Sequence, residues 1–240
     1  MGALFRTMRT MAPEMLMDAF GAESGLLSQV AAGTDDAAFA RPSPCLPWTV
    51  AELLFHVRMT MARLSVMLAA PEPADSGLVP APDYYRADQR FSAATNADRI
   101  ESARHGAAAL PDAAARARDF GEARLQAWTL LQAASPGRVV RTRHGDRMLL
   151  TEFTRTRVLE LAVHGLDLAK ALDREPWMTA SAAQVTEELL LPSPDAAVEL
   201  RTTAAWDQVT LIAKLTGRAT TTAAETRLIQ SLATQRLALG

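Results

Sequence analysis

The feature that most constrains this chain is the periodicity of "TVAELLFHVRMTMARLSVMLAA". Val50, Leu53, Leu54, Val57, Met61, Leu64 and Leu68 recur at steps of three and four. That spacing aligns them on one face of an α-helix and leaves no reading as a half-buried strand. Thr49 followed three residues later by Glu52 is a capping box that sets the helix start. A helix this long with one apolar face must bury that face against other helices.

The rest of the chain repeats the pattern between proline-rich breaks. A helix is expected over 13–32, with Pro13 in its first turn and Gly33 at its end. The segment "RPSPCLPW" reads as a rigid extended connector. Further helices are expected from about Tyr84 to Leu110, over Asp112 to Ala134, and from near Glu152 to before Pro176. Between the last two, "RVVRTRHGDRMLL" reads as a small β-hairpin around His144-Gly145-Asp146. Beyond Pro176, shorter helices are expected over Ala180–Leu191, Ala204–Thr216 and Ala223–Leu237. Thr222 and Glu225 form a second capping box there, Gly217 is placed as a C-cap, and "PSPDAAVELRT" reads as a loop with at most one short strand. The fold class is therefore all-α, an up-and-down bundle of roughly four long helices. The division expected is a main domain over 1–175 and a small helical cap over 176–240.

Composition excludes several partners. With 25 Lys and Arg against 27 Asp and Glu, the net charge is −2. A nucleic-acid binder would carry a basic excess. The single cysteine, Cys45, cannot form an intrachain disulfide, which suits a reducing cytoplasm. The first twenty residues carry charges throughout and lack a signal-peptide core, and no apolar run is long enough to span a membrane. A monomer or a homodimer is expected.

One helix raises a chemical question. In "RVLELAVHGLDLAKAL", Glu160, His164 and Asp167 interrupt an apolar run at steps of four and three. Glu160 and His164 therefore share a face, with Asp167 near the same line. Such a line is either a solvent face with a weak Glu–His contact or an inward line of ligands. His56, beside the apolar stripe of its own helix, lends weight to the second reading. Bundle metal sites take ligands from facing helices, and two histidines with one glutamate form a known catalytic zinc set. Asp167 reads either as a partner of a ligating histidine or as a solvent-facing residue near the helix end. Cys45, between Pro44 and Leu46, has no neighbouring base in sequence and is expected to be an inert small hydrophobe. His105 and His144 read as residues of polar, exposed segments; His144, at a turn, either is a plain loop residue or reaches a pocket. Tyr84, Tyr85 and Arg86 read as packing or as the mouth of a site.

"PCLPWTVAELLFHV" followed by "RVLELAVHGLDL" resembles the DinB-like superfamily of helical metalloproteins, in the branch of mycothiol-dependent maleylpyruvate isomerase. Trp48, Thr49, Val50, Leu53 and His56 match its first motif. Arg157, Glu160, His164, Asp167 and Leu168 match its second. The resemblance covers residues 10 to 175. It implies a divalent metal, zinc first, held by His56, Glu160 and His164, with mycothiol as thiol cosubstrate and a small electrophile as partner. The isomerase has a longer C-terminal α/β domain with a substrate-binding arginine, to which Arg218 in "KLTGR" is the nearest match; Arg218 reads equally as a basic residue at a helix end. The expected activity is thiol S-transfer or cis-trans isomerisation through a thiolate. The alternatives are a non-catalytic ligand-binding or regulatory bundle and a metal-dependent hydrolase.

Overall fold

In the computed structural model, residues 12–74, 76–232 and 237 are described. Ten α-helices and one two-stranded hairpin are found among them. The first eleven residues, over which a signal peptide was judged absent, lie outside the described set, as do 233–236 near the end of the last expected helix.

Helices α1 (Pro13–Ala32), α3 (Val50–Ala69), α5 (Ala113–Ala133) and α6 (Leu150–Ala171) form the bundle. α5 packs on α1 and α3, and α6 closes the ring on the opposite side against the same two helices. Phe20, Leu27, Leu53, Met61, Leu64, Phe120, Leu159 and Leu161 meet in its core, each fully buried. α4 (Ala93–Ala108) lies outside the ring, against α3. α7 (Ala180–Leu190) packs on α1 and α6, and α9 (Gln208–Leu215) packs on α7 and α6. A second apolar cluster there joins Leu166 of α6 to Leu190, Leu200, Leu211 and Ile212. α8 (Pro194–Ala204) and α10 (Ala223–Ser231) complete this end of the chain, and α2 (Asp36–Phe39) is a single turn before α3.

Local chemistry sets most of the helix starts. Thr49, Asp112 and Thr179 each accept a hydrogen bond from the backbone N–H three residues on. Both expected capping boxes form, at Thr49–Glu52 and Thr222–Glu225. The hairpin pairs β1 (Val139–Arg141) antiparallel with β2 (Arg147–Leu149), and β2 runs straight into α6. Its turn closes through Thr142 N–H to Asp146 O, with Gly145 at φ 87°, a conformation glycine takes without strain.

Four expectations are corrected. The helix expected from Tyr84 is two short 3₁₀ turns, Ala81–Tyr85 and Gln89–Phe91, before α4 begins. The Asp88 and Ser92 side chains bind the N–H groups of Arg90 and Thr95 and restart the chain at each point. The loop expected at "PSPDAAVELRT" is α8. Ser193 caps it and Pro194 occupies its first turn, so residues read as loop punctuation are in fact a helix start. The next helix begins at Gln208 rather than Ala204, because Ala205 adopts a left-handed conformation (φ 54°) that ends α8, and Asp207 caps α9. Finally, "RPSPCLPW" is not extended. Ser43 N–H binds Trp48 O and Trp48 N–H binds Cys45 O, which folds the segment into a turn and returns it to α3.

Candidate metal centre

His56 lies in the middle of α3, and Glu160 and His164 lie one turn apart on α6. The two helices pack side by side, so the inward reading of the polar line is the one the fold adopts. One potential ligand atom from each of the three residues lies within 4.8 Å of the others. His164 Nε2 is 3.3 Å from Glu160 Oε2, and the His56 and His164 rings meet edge to face at 5.2 Å. Trp48 stacks on His56 at 4.6 Å and fixes its ring plane. His56 Nδ1 is buried with no hydrogen-bond partner among the described residues.

α6 is buried on almost every side, which makes each charge on it consequential. Burial opposes a cationic His164, but its hydrogen bonds to Asp167, Cys45 and Glu160 outweigh that and hold its pKa well above the ordinary value. Burial likewise opposes a charged Glu160. The His164 hydrogen bond and the Arg157 and His164 charges nonetheless hold it well below the usual carboxylate range. His56 behaves differently: burial, then the His164 charge, pushes its pKa well below normal and leaves it neutral. Glu160 offers an anionic carboxylate and His56 a neutral imidazole with an orphaned nitrogen, and His164, in a negative potential, becomes the third donor when a divalent cation displaces its Nε2 proton. The donor set fits a metal.

A further layer holds His164. Asp167, 3 % exposed, lies 3.0 Å from His164 Nδ1. Arg218 donates from Nε and from a terminal nitrogen to the two Asp167 oxygens, at 3.2 Å each. Asp167 is therefore a buried partner of His164 and does not face solvent. The Cys45 Sγ–H donates to Asp167 Oδ2 at 3.1 Å and lies 4.0 Å from His164 Nδ1. Cys45 has no neighbouring base in sequence, but the turn at 45–48 carries it to His164 and Asp167 on α6. Cys45, His164 and Asp167 form a second group of potential ligand atoms within 4.8 Å, sharing His164 with the first.

Cys45, His56, Glu160 and His164 line a cavity of about 240 Å³, and Asp167 lies behind His164 without lining it. Tyr84 and Tyr85 also line it, whereas Arg86 does not. His144, expected in a plain loop, reaches the same cavity from the hairpin turn and tilts against Tyr84 at 5.5 Å. Burial and then the charge of Arg143 push its pKa down to about 4. His105 is exposed on α4, as its polar setting implies.

A helical bundle whose facing helices present two imidazoles and a carboxylate to a cavity defines a class of candidate metalloproteins. Within that class the assignment is specific: residues 20–169 match the family model described as the mycothiol maleylpyruvate isomerase N-terminal domain. The chain belongs to this family, and through it to the DinB-like superfamily. The matched stretch contains His56, Glu160, His164 and Asp167, and Arg218 lies beyond it. No curated protein and no solved structure matches the chain. No helix among the described residues is long and apolar enough to cross a membrane.

Proposed function

We propose that the protein is a metal-dependent enzyme that uses mycothiol against a small electrophile, by S-transfer or by cis-trans isomerisation. The observation that carries this reading is the convergence of His56, Glu160 and His164 on one wall of the cavity. Family membership supports the choice of thiol. A divalent ion, zinc in the first instance, would be held by these three residues, and when bound it would supply the positive charge that keeps a thiol deprotonated.

The chain's own residues do the remaining work. Glu160 stays anionic and offsets the ion's charge. Asp167 accepts from His164 Nδ1, which selects the tautomer that leaves Nε2 free to ligate. Arg218 fixes both Asp167 oxygens. Trp48 holds the His56 ring, and Met59, Phe91, Ile100 and Val163 give the cavity apolar walls that exclude water. In either reaction a bond forms between the thiol sulfur and an electrophilic carbon. Departure of a leaving group gives a thioether, and rotation followed by loss of the same sulfur gives the isomer.

The test pairs metal content with thiol consumption. Protein purified without chelator is expected to hold about one divalent ion per chain, as a three-ligand site implies. Replacing His56 by Ala should remove both the ion and thiol-dependent turnover of electrophiles. Full turnover by that variant would overturn the proposal, and turnover without thiol would favour a hydrolase.

A further inference from the structure

One thiol and one imidazole nitrogen at the candidate centre bind no ion in the proposed chemistry. His164 turns Nε2 toward Glu160 Oε2, at 3.3 Å, and that nitrogen is the one the divalent ion would take. Its other nitrogen, Nδ1, lies 4.0 Å from Cys45 Sγ. Both residues line the cavity, and Cys45 is half-buried, which gives a small ion a route to them. Cys45 is the sole cysteine of the chain.

The gap between sulfur and nitrogen suits a cation bridged by two donors. Metal bonds of about 2.3 Å to a thiolate and about 2.0 Å to an imidazole span about 4.3 Å in a straight line and about 3.5 Å at a tetrahedral angle. The observed 4.0 Å falls between the two. Asp167 Oδ2 lies 3.1 Å from the sulfur and 3.0 Å from the nitrogen, but Arg218 holds both Asp167 oxygens. The third donor is therefore taken, and the Arg218 charge stands against a second divalent ion. Zinc, which takes four ligands in a closed site, is poorly served here. A monovalent soft cation is satisfied by two donors, and thiolate ligands select copper(I). Copper(I) also replaces the thiol proton charge for charge, so the Asp167–Arg218 pair need not open.

We propose that Cys45 Sγ and His164 Nδ1 form a copper(I) site, and that filling it closes the candidate metal centre. The Cys45 S–H proton and any proton on Nδ1 leave to water as the S–Cu and Cu–N bonds form. Copper stays at +1, and nothing is oxidised. The imidazole then carries its proton on Nε2, where Glu160 Oε2 accepts it. The zinc arrangement needs the opposite tautomer, with Nε2 bare and the proton held on Nδ1 by Asp167. One neutral imidazole cannot satisfy both. The copper(I) site stands on distances and donor types; the antagonism rests on the reading of His56, Glu160 and His164 as the ligands of the functional ion.

The experiment is an anaerobic titration of the full, metal-free chain with copper(I) against a coloured copper(I) chelator, repeated on zinc-loaded protein with a zinc-sensing dye. Wild type is expected to bind one more copper(I) per chain than Cys45→Ser, with a thiolate-to-copper absorption band that the variant lacks. Losing Cys45 should weaken that copper by more than about 100-fold, the upper end of what losing only a partner behind a ligand costs. His164→Ala should lose both metals. His56→Ala, which supplies neither copper donor, should keep its copper(I) affinity. In zinc-loaded protein each copper(I) bound at Cys45 should release one zinc. Equal copper(I) binding by wild type and Cys45→Ser overturns the site, and copper(I) and zinc held together at full occupancy overturn the antagonism. Cysteine-dependent copper(I) binding by a chain that takes up no zinc would uphold the site and remove the metal-dependent function. Zinc uptake without cysteine-dependent copper(I) binding would do the reverse.

Discussion

Arg218 grips Asp167 through both carboxylate oxygens, although 51 residues separate them and only Asp167 lies within the matched family region. Because Asp167 in turn faces His164 Nδ1, the segment after α9 reaches the candidate centre through one carboxylate. Asp167→Asn is expected to weaken zinc binding by about 10- to 100-fold, the usual effect of losing a partner behind a ligating histidine. Arg218→Ala should weaken it less, because Asp167 keeps its contact to His164. Competition with a fluorescent chelator measures both. Unchanged affinity in Asp167→Asn would mean that Asp167 does not orient a ligand.

The two overlapping ligand groups make different spectroscopic demands. If His56, Glu160 and His164 hold the ion, cobalt(II)-loaded protein without added thiol shows no sulfur-to-metal charge-transfer band, and Cys45→Ser retains full metal stoichiometry. A strong band that disappears in Cys45→Ser would move the centre to Cys45, His164 and Asp167.

The helix that presents His56 depends on its cap. Thr49 accepts from Glu52 N–H, and Glu52 accepts from Thr49 N–H. Thr49→Ala should cost about 1 kcal/mol of stability in denaturant unfolding. Metal content should stay at the wild-type level, since no ligand is touched. A loss of metal at full stability would show that the cap positions the site directly.

Glu23 supplies a pH signature away from the centre. It is fully buried between α1 and α7, where its Oε2 accepts from Thr179 N–H and Oγ1–H. Burial raises its pKa above 4.5 despite those two bonds. The folded state therefore binds the proton more tightly than the unfolded state. The resulting stabilisation is complete below 4.5 and is lost as pH rises through the folded value. Glu23→Gln has no such proton. Urea unfolding at about pH 4, 5.5 and 7 should show wild type losing stability relative to the variant as pH increases. A difference that is flat with pH, or that grows in favour of wild type, would contradict this.

α4 approaches α3 closely at Gly106. A Cβ there would clash with the Phe55 ring. Gly106→Ala should therefore destabilise: overpacking costs about 1–3 kcal/mol, against at most about 1 kcal/mol gained from helix propensity. Thermal unfolding should occur a few degrees lower, at roughly 2–4 °C per kcal/mol for a chain of this size. An unchanged or higher midpoint would mean that Phe55 swings aside freely.

Much of this could be read from spacing alone. The four bundle helices and both capping boxes follow from patterns confined to a few turns of chain, and so does the pairing of Glu160 with His164. The convergence of His56 needed only the assumption that two apolar stripes face each other. What escaped was non-local or ambiguous. Cys45 meets Asp167 across 122 residues because a turn closes at Trp48, and three prolines hid that turn behind an apparent rod. Ser193 and Pro194 are loop residues and helix-start residues alike, and only the packing of Ala197 and Leu200 decides between them. The convergence of Arg63, Arg99 and Arg143 on one cavity was invisible for a different reason. Each is unremarkable on its own element, and they meet only once α3, α4 and the hairpin turn are assembled.

The burial of α6 on nearly all sides has one more consequence. The same helix is the keystone of the bundle and the floor of the cavity, so a change to its polar line is also a change to the core. Arg99 of α4 and Arg143 of the hairpin turn also line the cavity, and they can be exchanged one at a time without touching that helix. A chain built this way can be retuned to new small molecules from its edge inward while the centre stays as it is.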